Sequence, residues 1–75
     1  MMTPIFQKTL VRALHVRSFE ITVDSVAGWE IFEREDERVL HRQHYTDWHR
    51  VERVAQRLSD VVADLQRDGW QEFTA

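Results

Sequence analysis

The chain has 75 residues, 43% of them hydrophobic and 31% charged, with a net charge of −3 and no cysteine. That length holds one small domain (residues 1–75) and excludes a two-domain enzyme, while the apolar fraction is too high for a disordered acidic tail. Without cysteine there is no disulfide framework, thiolate metal site or cysteine nucleophile; stability rests on packing, about 3 to 5 kcal/mol from one such core, to which a second copy could add buried area.

Residues 1–14 form a leader that reads in two ways, ahead of a core over 15–73. Thr3 as a cap, Pro4 at a first helical position and Ile5, Phe6, Leu10 and Leu14 at helical spacing describe a short helix, the favoured reading. Leu10, Leu14 and Val16 also fit an extended arm running into the next strand, with a bulge near Arg17 and Ser18 to change its phase.

Phe19, Ile21 and Val23 alternate with Glu20, Thr22 and Asp24, the period of two of a strand with one apolar face. Asp24 to Gly28 supplies a turn. A second strand starts at Trp29 and ends in the charged run Glu35, Asp36, Glu37, and a third runs from Val39 to Tyr45. A register that brings apolar residues together sets Val23 against Trp29, Ile21 against Ile31, Glu33 against Val39 and Ile31 against His41. It places Thr22 and Arg42 on either side of Glu30, and Phe32 beside Leu40 on the reverse face.

From Asp47 to Asp68, Trp48, Val51, Val54, Ala55, Leu58, Val61, Val62 and Leu65 recur at three- and four-residue steps, which predicts an amphipathic helix. Thr46 or Asp47 can cap its start; Gly69 suits the left-handed closing residue, with Trp70 folding back onto Leu65. Phe73 is expected to tuck the tail back. The predicted fold is α+β: a three-stranded antiparallel meander covered on one face by a long C-terminal helix, in the order α-β-β-β-α or β-β-β-α.

Charge is separated along the chain: +3 over residues 1–17, −6 over 18–37, +3 over 38–57 and −3 over 58–75. The long helix largely opposes its own dipole, with His49, Arg50, Arg53 and Arg57 early and Asp60, Asp64 and Asp68 late. Either the acidic segment 18–37 neutralises the basic half, or Arg42, His44, His49, Arg50, Arg53 and Arg57 gather around the helix start as an anion or nucleic-acid site. With a helical leader, the element order resembles the double-stranded RNA-binding domain, where His49-Arg50-x-x-Arg53 would stand at the phosphate-contacting start of the second helix. The hairpin segment from Asp24 to Gly28, acidic and short, departs from that family's basic loop, and the net charge has the opposite sign. Antitoxin-like domains with three strands and a helix resemble the chain equally well.

Catalysis, metal binding and cofactors are not expected. The carboxylates Glu33, Glu35, Asp36 and Glu37 cluster at a hairpin tip, Ser18, Ser25 and Ser59 lack a nucleophile setting, and the two glycines make no phosphate loop. His41 and His44 point to opposite sheet faces and cannot readily chelate one ion, and His15 stands apart. No run reaches the roughly 18 apolar residues of a membrane span, and residues 1–16 lack the features of a signal peptide, so a cytoplasmic location without membrane contact is expected. The expected role is a small interaction or assembly module. Its partner is a second copy, as a homodimer, or another protein, met through the reverse sheet face, with Phe32 and Leu40 as apolar contacts, or through a free edge of the first strand. Nucleic-acid or other anion binding is the alternative, disfavoured by the acidic balance.

Overall fold

A computed structural model describes residues 3–24 and 28–73. The elements in chain order are β1 (Thr3–Arg12), β2 (His15–Val23), β3 (Trp29–Glu35), β4 (Arg38–Tyr45), α1 (Trp48–Arg67) and β5 (Gln71–Glu72). Together they form an antiparallel five-stranded sheet, ordered β4-β3-β2-β1-β5, with one helix packed on one face.

The N-terminal segment is a strand, which corrects the expected helix and the three-stranded count. β1 pairs with β2 from Thr3↔Val23 to Arg12↔His15, closing through a turn in which Ala13 takes φ 53°. The apolar spacing misleads because an extra residue, Ile5, shifts the ladder between Pro4 and Phe6, after which Phe6 opposes Ile21 and Leu10 opposes Arg17. The phase change sits in β1, not near Arg17 and Ser18. With β1 in place, β2 is interior and offers no free edge; among the described residues the sheet ends at β4 and at the two-residue β5. The α-β-β-β-α order, and with it the likeness to the double-stranded RNA-binding domain, is absent.

The expected register of β2 on β3 is present, Val23 opposite Trp29 and Ile21 opposite Ile31. Residues 25–27 of the expected turn lie outside the described residues. β4 is displaced by two residues: Trp29 opposes Tyr45, Ile31 opposes Gln43, and Glu33, not Ile31, opposes His41. The cause is a two-residue turn, with Asp36 at φ 49° and Glu37 at φ 73° joining Glu35 directly to Arg38, followed by a one-residue bulge at Leu40. Left-handed residues at both turn positions match the twist of the flanking strands. A shift of two preserves sidedness, so the sheet face of each residue from His41 to Tyr45 is unchanged.

Helix α1 has the expected ends. Asp47 accepts from the His49 amide at 3.0 Å, and at the other end Trp70 N–H donates to Leu65 O at 3.0 Å while Gly69 N–H, at φ 101°, donates to Gln66 O at 3.2 Å, the paired bonds of a Schellman closure. Its inner face brings Val51, Leu58 and Val62 onto Leu10, Phe19, Ile21 and Ile31, which together form the buried core. Trp29, packed against that core, meets Trp48 with ring centroids 5.2 Å apart. The tail returns through its backbone, Phe73 N–H donating to Thr9 O at 2.8 Å, while the Phe73 side chain is 57% exposed and does not tuck in. No helix among the described residues is long and apolar enough to cross a membrane.

Candidate functional site

The helix covers one face of the sheet and leaves the other open. Strand alternation assigns to that outer face Gln7, Thr9 and Val11 on β1, Val16, Ser18, Glu20 and Thr22 on β2, Glu30, Phe32 and Arg34 on β3, and Arg42 and His44 on β4. Val39 joins them, because the bulge brings it opposite Arg34. Thr22 is buried; Val16, Val39 and Leu40 are exposed.

Phe32 is the centre of this face. In the ladder it lies between Glu20 on β2 and Arg42 on β4, and its neighbours two residues away along β3 are Glu30 and Arg34. The Arg34 and Arg42 guanidinium carbons stand 4.9 and 5.4 Å from the ring centroid, so two cations cover the ring from the β4 side and from the β3 end. Phe32 and Leu40 are therefore not the adjacent pair expected: Arg42 takes the place opposite Phe32, and Leu40 occupies the bulge.

The acidic segment 18–37 finds partners within the sheet. Glu30 Oε2 lies 3.7 Å from Arg42 Nε, and Asp24 Oδ2 lies 3.4 Å from His44 Nε2. Asp36 binds across two hairpin turns, to the His15 ring at 2.8 Å and to the Val16 amide at 2.8 Å. The hydrogen bond to Asp36 holds the His15 pKa above its ordinary value; the same bond, aided by the Val16 amide, holds Asp36 below its own. These contacts serve the strands and turns rather than the basic half of the helix.

The six basic residues considered for anion binding are not gathered into one patch. Arg42 and His44 belong to the outer sheet face, whereas His49, Arg50, Arg53 and Arg57 are exposed on the helix packed against the opposite one. Arg50 and His44 both line an open cleft between β4 and α1, with Tyr45, Thr46 and Asp47. The helix start is already occupied: the Asp47 carboxylate takes the His49 amide, and the Asp47 carbonyl takes those of Arg50 and Val51. A second open groove lies at the turn end of the outer face, lined by Leu14, Val16, Ser18, Arg34, Asp36 and Glu37.

Sequence reasoning missed three features. Arg34 and Glu20 flank Phe32 on the outer face, a placement that strand alternation makes readable once Phe32 is taken as the centre. His15 stands apart in the sequence, its partner Asp36 being 21 residues away across another turn. Asp24, Glu30 and His44 converge only because of the two-residue displacement of β4, which puts His44 opposite Glu30. Comparison with protein-family models, curated proteins and solved structures finds no match.

Proposed function

We propose that this chain is a small non-enzymatic assembly module that pairs with a second copy of itself through the outer sheet face. What carries the reading is the charge pattern around Phe32. Two acids, Glu20 and Glu30, lie on one side of a diagonal through that ring, and two bases, Arg34 and Arg42, lie on the other. A two-fold axis along the diagonal, in the plane between two facing sheets, would bring Phe32 and its counterpart together at the centre, each flanked by its own Arg34 and Arg42. It would also set Glu20 against Arg34 of the second copy and Glu30 against Arg42. Such an interface is isologous, each contact occurring twice, and its strands would cross near a right angle, one of the two common modes of sheet packing. Exposed Val16, Val39 and Leu40 would add apolar area around the charged centre.

Sedimentation velocity over a dilution series tests this. The expected result is a concentration-dependent dimer that Leu40→Glu or Phe32→Glu weakens while far-UV circular dichroism stays native. A native chain that remains monomeric at every concentration overturns it.

The alternative, a nucleic-acid or anion binder using Arg42, His44, His49, Arg50, Arg53 and Arg57, has less support, since those residues are divided between two sides of the molecule and Asp47 caps the amides an anion would need. Fluorescence anisotropy with single- and double-stranded oligonucleotides at two salt concentrations distinguishes them. Binding that falls steeply with salt and is lost in an Arg50→Glu, Arg53→Glu variant would favour the alternative.

A further inference from the structure

Three strands bring two carboxylates and an imidazole to one corner of the outer face. Glu30 on β3 stands directly opposite His44 on β4, and Asp24 follows the last residue of β2. One candidate donor atom from each of Asp24, Glu30 and His44 lies within 4.8 Å of the other two. The carboxylates are well shielded, the Glu30 side chain 12% exposed and that of Asp24 20%, with His44 at 38%.

Two carboxylates this close repel one another more strongly as water is withdrawn, and a cation between them relieves the repulsion. Positive groups already gather at these carboxylates, Arg42 Nε 3.7 Å from Glu30 and His44 Nε2 3.4 Å from Asp24. The corner is also stiff. Asp24 N–H donates to Gly28 O at 2.9 Å, and a Cβ on Gly28 would lie 2.2 Å from Tyr45 O and 3.2 Å from His44 Cε1. Only glycine there lets the start of β3 close against β4 beside His44.

We propose that Asp24, Glu30 and His44 bind one divalent first-row transition-metal ion, with zinc the preferred member. Two carboxylate oxygens and an imidazole nitrogen suit zinc, manganese, iron(II) or cobalt(II); there are too few oxygens for calcium and no thiolate for copper(I). Bonds of roughly 2.0 to 2.2 Å would draw the donors together from their present spacing, a closure that side-chain rotation can supply while the ladder holds the backbone. The two carboxylates balance a dication. Three protein ligands leave a coordination position open to water. All three ligands come from one chain, so the site does not rest on self-association.

Titration of the metal-free full chain with zinc chloride by isothermal calorimetry tests the proposal. The expected result is one saturable ion per chain, weakened roughly tenfold or more by Glu30→Gln or His44→Gln and unchanged by His41→Gln or His49→Gln. Absence of saturable binding, or affinity unchanged in both Glu30→Gln and His44→Gln, overturns it. Should those variants fail to fold, cobalt(II) added to the isotopically labelled native chain gives the answer. Broadening that begins at the amides of Thr22, Asp24, Glu30 and His44 supports the site, and broadening centred on His15 or His49 overturns it.

Discussion

His15 Nδ1 lies 2.8 Å from Asp36 Oδ2, and the other oxygen of the same carboxylate accepts the Val16 amide at 2.8 Å, so one aspartate joins the β1–β2 turn to the β3–β4 turn. Asp36 N–H returns a bond to Val16 O at 2.9 Å. The turn residue that must adopt a left-handed backbone is thus also the residue that ties the two hairpin ends together.

The pH dependence of this tie follows from its two shifted groups. Asp36 has its folded pKa lowered, so its contribution is present above the unfolded value of about 3.9 and is lost as pH falls through the folded value. His15 has its folded pKa raised, so its contribution is complete below the unfolded value of about 6.5 and is lost as pH rises through the folded one. The tie is strongest between those limits. Proton NMR titration should give His15 a pKa above 6.5 that returns to the ordinary value in Asp36→Asn; an unchanged titration in that variant would count against the pairing.

Gly28 and Gly69 both have positive φ, 108° and 101°, but their surroundings differ. A methyl group on Gly28 would collide with the Tyr45 carbonyl at 2.2 Å, whereas the nearest atom at Gly69 is Arg12 Nε at 3.9 Å. Gly69→Ala should therefore cost only the left-handed backbone penalty, about 1 to 2 kcal/mol, while Gly28→Ala should cost more because β3 and β4 must also separate. Urea midpoints of the two variants check the order, and equal midpoints would show that the close approach at Gly28 contributes nothing.

Leu58 is fully buried on the inner face of α1, in the core cluster that includes Ile21 and Ile31. Leu58→Ala should cost about 2 to 5 kcal/mol, a large share of what a core of this size supplies, so the variant should be substantially unfolded at room temperature. Val39→Ala, on the exposed side, should stay within about 0.5 kcal/mol of the parent. Thermal melts followed by circular dichroism separate the two, and a cooperative Leu58→Ala melt near that of the parent would refute the packing.

The parts of the fold visible in the sequence are those fixed by local chemistry. Asp47, Gly69 and Trp70 mark the helix ends, and alternation from Phe19 to Val23 and from Trp29 onward sets the inner face and the β2–β3 register. What was hidden depends on long-range pairing. Phe6 and Leu10 satisfy both a helical and an alternating pattern, and only the ladder to β2, with Ile5 as the extra residue, decides between them. The slip in β4 was invisible to polarity from His41 to Tyr45, because a displacement of two leaves those residues on their own faces, whereas Val39, ahead of the bulge, moves to the outer face. Only the two-residue turn at Asp36 and Glu37 together with the bulge at Leu40 places His44, rather than Arg42, opposite Glu30.

The charge array around Phe32 can be tested by exchange rather than deletion. Glu20→Arg alone should weaken self-association, since it would place a cation against Arg34 of the second copy, and Arg34→Glu alone should weaken it through the opposite repulsion. The double variant restores opposite signs at both symmetry-related contacts and should recover most of the loss, because the coupling between facing residues is what a double-mutant cycle isolates. Each exposed pair contributes about 0.2 to 1 kcal/mol, but the two-fold axis counts it twice, so each single exchange should raise the dimer dissociation constant severalfold at low salt. Sedimentation equilibrium of the four proteins reads the cycle. Additive losses, with the double variant weaker than either single one, would mean that Glu20 and Arg34 do not face each other across a two-fold axis.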